Sequence, residues 1–237
     1  MNINTRCLLY NHIFNAIESA VNNMTQYQEP DYIASLTTKL PPLLSQIFNQ
    51  HIPQISYRVR GCFVHQKPLV QFVDAKYSGF KKPEIGDLLI VYEEIKNTSK
   101  RYNAILLQAK KTKDIYNTAL NPNDHQLLLY TQWPKFKYVK AGHLNGHIRS
   151  INPKTINSGA QYLLIDQFHG TAHFPFHSTF WCSIADQNLC ASNTLAMVLL
   201  QFIEFQTGRT FVSKRQNMDH WSRNDMGPSG YYIKSCF

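Results

Sequence analysis

Apolar positions recur at two different periods along this chain, and the switch between them separates helical from extended stretches. From Asn11 to Met24, the residues Ile13, Phe14, Ile17, Ala20, Val21 and Met24 fall at three- and four-residue spacings, which predicts a short amphipathic helix. Glu29-Pro30-Asp31 reads as the start of a second helix, with Asp31 as N-cap for Tyr32 to Lys39. Pro41 and Pro42 are expected to interrupt or kink it before Leu43, Leu44, Ile47 and Phe48 resume the stripe.

From Ile55 onward the texture changes to branched and aromatic residues. Strands are expected over Ile55 to Val64 and Leu69 to Val73, divided by a turn at Gln66-Lys67-Pro68. Two more follow, Ile85 to Tyr92 and Tyr102 to Ala109, joined through Asn97-Thr98-Ser99 and therefore paired antiparallel. Gln126 to Gln132 predicts a short helix, Lys140 to Ser158 an irregular connection, and Tyr162 to Ile165 another strand. Leu189, Ser192, Leu195, Ala196, Leu199, Phe202 and Ile203 mark the longest helical pattern, ended near Gly208. The pattern as a whole predicts one α/β domain spanning 1–237, a mixed β-sheet flanked by helices.

Composition narrows the class. The chain has 237 residues, 43% of them hydrophobic, enough for one sizeable core. No stretch approaches the roughly 20 apolar residues of a membrane span, and no signal-peptide pattern opens the chain, so a cytoplasmic protein without a membrane partner is expected. Five scattered cysteines without close pairing argue against a zinc knuckle or a disulfide framework and are read as reduced thiols. A net charge of +9 favours encounter with polyanions such as nucleic acid.

The chemistry concentrates in KKPEIGDLLIVYEEIKNTSKRYNAILLQAKK. Asp87, Leu89 and Val91 share one face of the first strand, and Ala104, Leu106, Gln108 and Lys110 share one face of the next. An antiparallel hairpin brings the start of the first beside the end of the second, so Asp87 meets Gln108 and Lys110. A carboxylate, an amide oxygen and the Ala109 carbonyl can hold Mg²⁺, with Mn²⁺ as the alternative ion, while Lys110 orients or activates water for phosphodiester hydrolysis.

These residues resemble the PD-(D/E)xK, or restriction endonuclease-like, nuclease superfamily, whose signature sets an acid on one strand and (D/E/Q)xK on the next. Gln108-Ala109-Lys110 is similar to the QxK of Mrr-type restriction enzymes and of antiphage-defence nucleases. EIGDLL, AILLQAK and QLLLYTQWPKF extend the likeness over roughly residues 29 to 138, with 139 to 237 completing the core. The resemblance implies a Mg²⁺-dependent DNA endonuclease, a homodimer for cutting both strands, and, through defence loci, a partner such as an ATPase or sensor. It also implies a further acid from a preceding helix, for which Glu29 is preferred over Glu18. Gln108 is neutral, so metal binding would be weaker unless Glu29, Glu84 or substrate phosphate compensates, and Gly86 stands where the signature has proline.

Each residue has a plainer reading beside the catalytic one. Asp87, Gln108 and Lys110 could be a turn acid and two solvated strand-end residues, yet a Gln and a Lys that continue an Ala-Ile-Leu-Leu run are costly without polar partners. Lys111, Lys113 and Gln126 are candidates for substrate contact. The densest basic run, Lys110, Lys111 and Lys113 with Lys135, Lys137 and Lys140, interleaved with Trp133, Phe136 and Tyr138, would suit phosphate contact and base stacking, or simply form a solvated face. His143, His147, His169, His173 and His177 lack partners for a zinc set and are read as structural, as is Asp219-His220-Trp221. The alternative function is a catalytically inactive nuclease-fold subunit that binds nucleic acid or assembles with a partner.

Overall fold

The computed structural model describes residues 1–211 except 23, 25, 54, 78, 153 and 168–177. His169, His173, His177 and Asp219-His220-Trp221 lie outside the described residues.

The chain opens with two helices, α1 (Ile3–Val21) and α2 (Glu29–His51). Asp31 is not the N-cap of α2. Gln28 takes that place, and Asp31 at the third helical position accepts the Gln28 backbone N–H at 3.0 Å, the return half of a capping box. Nor do Pro41 and Pro42 break α2, which runs through both. Each proline removes one helical donor, and the Thr37 carbonyl freed by Pro41 packs on the bare Cα of Gly61, where a Cβ would stand 2.6 Å from that oxygen. Gly61→Ala is therefore expected to lower unfolding free energy by about 1–3 kcal/mol, read by denaturant titration. An unchanged midpoint would show that helix and strand separate freely there.

Gly61 belongs to β1 (Ser56–Phe63), the edge of a seven-stranded sheet. Exposed strand edges invite foreign pairing, and α2 covers this one. Asn49 donates to the Tyr57 carbonyl and accepts the Tyr57 N–H, both at 2.8 Å, and the Ser45 hydroxyl accepts the Val59 N–H at 2.8 Å.

After β2 (Leu69–Phe72) come β3 (Leu88–Lys96) and β4 (Ser99–Thr112), paired antiparallel as expected, with Lys96 opposite Ser99 and Leu88 opposite Leu107. Asn97 at φ 55° turns the chain between them, in the left-handed region that asparagine tolerates. The elements that follow are β5 (Thr118–Ala119), α3 (His125–Gln132), β6 (Phe136–Val139), β7 (Ile148–Arg149), β8 (Ala160–Asp166) and β9 (Phe180–Ser183). Then come β10 (Asn188–Leu189), β11 (Asn193–Thr194), α4 (Leu195–Ile203) and β12 (Arg209–Phe211). The last helix is shorter than its apolar pattern, because Leu189 lies in a strand and the Thr194 hydroxyl caps the start by accepting the Met197 N–H at 3.2 Å.

The main sheet runs β1-β3-β4-β8-β9-β11, with β12 also paired to β4. Among the described strands only β4 and β8 pair parallel, which makes the sheet mixed. One face carries α1, α2 and α4 over Leu88, Ile90, Ile105, Leu107, Leu163 and Ile165. The other carries α3 and the small sheet β2-β6-β7 over Leu89, Val91, Ala104, Leu106, Tyr162 and Leu164. Among the described residues no helix is long and apolar enough to cross a membrane. Cys7, Cys182 and Cys190 are free thiols, whereas Cys62 is disulfide-bonded, against the expectation that all five are reduced.

Candidate active site

The site exists because β4 outruns β3. The β3–β4 ladder stops at Leu88 opposite Leu107, yet β4 continues to Thr112. On that open edge the backbone N–H groups of Ala109 and Lys111 face no strand. Two carboxylates take their place: Asp87 Oδ2 accepts the Ala109 N–H at 2.8 Å, and Glu29 Oε2 accepts the Lys111 N–H at 2.9 Å. In a strand the N–H and C=O of one residue point the same way, so the Ala109 carbonyl looks onto this edge too.

Asp87 is 1% exposed and is held from three sides. Besides Ala109, the Gln108 amide donates to Asp87 Oδ2, and His65 Nδ1 lies 2.7 Å from Oδ1. The same ring nitrogen is 3.3 Å from Glu84 Oε2. His65 arrives by the sheet register: β1 ends beside the start of β3, and the Val64 N–H donating to the Asp87 carbonyl at 3.0 Å extends that pairing by one step. Glu84 is placed by a bridge to Leu69 of β2, with the Ile85 N–H bonded to the Pro68 carbonyl at 3.2 Å. One ligand atom from each of His65, Glu84 and Asp87 lies within 4.8 Å of the others.

Gly86 has no room for a side chain without a shift of its neighbours: a Cβ there would stand 2.7 Å from Leu106 Cδ1 and 2.9 Å from the Tyr130 hydroxyl. That hydroxyl donates to the Ile85 carbonyl at 2.9 Å and fastens the segment to α3, and burial, its largest influence, keeps it a neutral donor.

Lys110 follows Gln108 on the same face, and its Nζ donates to Gln126 Oε1 at 3.0 Å. Gln126 sits in the first turn of α3, where Asp124 caps the helix by accepting the Gln126 and Leu127 N–H groups at 2.8 and 3.0 Å. Asp87, Gln108, Ala109, Lys110, Glu29 and Gln126 thus gather around one strand end. Lys111 and Lys113 do not. Lys111 points to the opposite face, where its Nζ donates to the Tyr27 carbonyl at 2.6 Å, and Lys113 is exposed beyond the strand. Trp133, Phe136 and Tyr138 are buried in the core, so they pack and offer no stacking face to a base.

No family model, curated protein or solved structure matches the chain.

Burial pushes the Asp87 carboxyl up to about 6; the bonds from His65 and Ala109 oppose the rise, and the Glu84 and Glu29 charges add to it. The fit to a divalent cation is tested by Gln108. This side chain is 3% exposed, and its Oε1 has no hydrogen-bond partner among the described residues, although its nitrogen is engaged by Asp87. An orphaned buried acceptor costs roughly 1–3 kcal/mol and is the atom a cation or its water would satisfy. The two carboxylates and the imidazole of Asp87, Glu84 and His65 form a group that could hold such an ion, and the amide oxygen and the Ala109 carbonyl are oxygen donors of the kind it also takes. Sequence reasoning missed His65. Its only signal was position, since a strand expected to end at Val64 leaves the next residue beside the start of a neighbouring strand.

The raised Asp87 value has a consequence for the metal-free protein. The folded state holds this proton more tightly than the unfolded chain, whose carboxyl sits near 3.9. The stability contributed by Asp87 is therefore full below about pH 4 and is lost as pH rises to about 6. In chelator, Asp87→Asn should gain about 3 kcal/mol on the wild type between pH 4 and pH 7, measured as the change in their stability difference by urea unfolding. A pH-independent difference would refute the buried, strained carboxylate.

Proposed function

We propose that the chain is a metal-dependent nuclease of the restriction endonuclease-like class, hydrolysing phosphodiester bonds in DNA at the strand end that joins Asp87, Gln108 and Lys110. The observation that carries the reading is the cluster of His65, Glu84 and Asp87 ligand atoms, with Asp87 bonded to Gln108, whose own oxygen is unpartnered among the described residues, and with Lys110, held by Gln126, two residues further along the same strand. His65, Glu84, Asp87, Gln108 Oε1 and the Ala109 carbonyl would hold the ion. A divalent cation bound by them would supply positive charge for the phosphoryl and leaving oxygens. The imidazole nitrogen tilts the set from Mg²⁺ toward Mn²⁺.

Each of this chain's groups then has a task. Lys110, held by Gln126, places an ammonium over the phosphate and its attacking water, where preorganised charge counts most. Glu29 and Asp87 fix the open edge of β4, so that the Ala109 carbonyl and Lys110 keep their spacing. Asp87 must be ionised to bind the cation, so proton and cation compete for the carboxylate and binding weakens as pH falls. The net charge of +9 supports capture of the polyanionic substrate.

The test is incubation of the purified protein with plasmid and single-stranded DNA in Mg²⁺, Mn²⁺ or chelator. Metal-dependent cutting supports the nuclease. Binding without cutting in either metal instead supports a nucleic-acid-binding subunit, the reading favoured by the neutral Gln108.

A further inference from the structure

The first turn of α3 has two neighbours. Gln126 holds Lys110 of the strand-end cluster, while the preceding residue, His125, lines a cleft of about 590 Å³. Small-ligand sites span roughly 300–1,000 Å³, so the cleft is of nucleotide size. Lys76, Phe80, Lys81, Asn121, Asn123 and Asp124 line it with His125.

We propose that this cleft takes one unpaired nucleotide of a DNA strand beside the phosphate at the Asp87 centre, so that the protein selects single-stranded over duplex DNA. The proposal rests on the nuclease reading and names the substrate class of that site.

The lining has the parts that an unpaired nucleotide needs. Phe80 has its ring set by edge contacts to Phe72 and Tyr77, with centroids 6.3 and 6.0 Å away, and offers a stacking surface for a base. The Asn123 amide can donate to and accept from a base edge, and the Asn121 amide, whose oxygen accepts the Asn123 N–H at 2.9 Å, keeps its NH₂ to donate. Lys76 and Lys81 supply phosphate contacts, and Lys76 is steadied with its Nζ 4.6 Å from the centre of the Tyr77 ring. The Asp124 carboxylate already occupies the N-terminal amides of α3, so phosphate is directed to these lysines instead of the helix end.

The cleft and the strand-end cluster also share one electrostatic neighbourhood. His125 is pushed below its ordinary value by burial first. The Asp124 charge opposes that push, Lys110 and Lys81 reinforce it, and Glu84 again opposes it. Lys110 and Glu84 belong to the cluster, Lys81 to the cleft, and His125 feels all three. Shape decides between substrates. A duplex can present only its outer phosphates to a concavity of this size, whereas a single strand can place a whole nucleotide inside and gain the stacking.

The experiment measures anisotropy of a labelled single strand of about 15 nucleotides and of the matching duplex, in chelator so that no cutting intervenes. Wild type is compared with Lys76→Glu/Lys81→Glu, Phe80→Ala and the milder Lys81→Gln, and each variant is checked for thermal stabilisation by Mn²⁺. Single strand should bind at least ~10-fold more tightly than duplex; the double charge reversal should cost ~10-fold or more, Phe80→Ala roughly 5-fold or more, and Lys81→Gln several-fold, with the Mn²⁺ response unchanged. Equal affinity for duplex and single strand overturns the proposal. So does wild-type affinity in the variants; should the charge reversal unfold the chain, Lys81→Gln decides by the same criterion. Failure of the nuclease reading looks different: binding that depends on the cleft, with no cutting in either metal.

Discussion

Asp87→Asn is expected to weaken Mn²⁺ binding ~100-fold or more while leaving the fold intact. Asp87 engages three other residues of the centre, since it accepts from Gln108 and Ala109 and lies 2.7 Å from His65 Nδ1. Asparagine keeps the shape and one acceptor oxygen but removes the charge, and hard cations depend on that charge. The readout is thermal unfolding. Metal at about 100 times its dissociation constant stabilises the folded state by about 2.7 kcal/mol. For a chain of this size that corresponds to a rise of roughly 5–11 °C. The wild type should show the rise and Asp87→Asn almost none of it; an undiminished rise in the variant would place the metal elsewhere.

Lys110→Ala should behave in the opposite way, retaining the Mn²⁺ response and losing turnover. The lysine donates to Gln126 and to no metal ligand, so its removal leaves the donor set whole. A positioned proton-transfer or charge-stabilising group contributes roughly 10²–10⁴-fold, and a loss in that range is expected in single-turnover cleavage at saturating metal. Gln126→Ala, which frees the lysine without removing it, should give a smaller loss, about tenfold by analogy with groups that orient metal ligands. Turnover unchanged in Lys110→Ala would assign the lysine to the solvated strand-end reading.

Much of this arrangement was legible in the order of residues, and what was not has identifiable causes. The Asp87 and Gln108 strands could be paired from their period and the Asn97 turn, because an antiparallel hairpin fixes its own register. Glu29 was found through family resemblance, and its contact is of a kind no periodicity announces: a helix-start carboxylate filling the place of a missing strand. His65 and the bridge that holds Glu84 depend on which strands become neighbours in the sheet, and local pattern does not contain that. Pro41 and Pro42 misled, because propensity prices a proline inside an isolated helix. Here a strand with Gly61 at the right register receives the altered helix face. Lys111 misled for a simpler reason, since adjacent residues of a strand point to opposite faces and only Lys110 could join the site.

Mn²⁺ binding and DNA cleavage, measured on the same samples of wild type and Asp87→Asn across a metal titration, test most directly whether Asp87 anchors a metal-dependent nuclease centre. Such a centre should bind about one ion per chain, cleave in step with occupancy, stop in chelator, and lose both binding and cleavage in the variant. Cleavage that persists in Asp87→Asn or in chelator, or Mn²⁺ bound without any cleavage of single-stranded or plasmid DNA, would contradict this assignment.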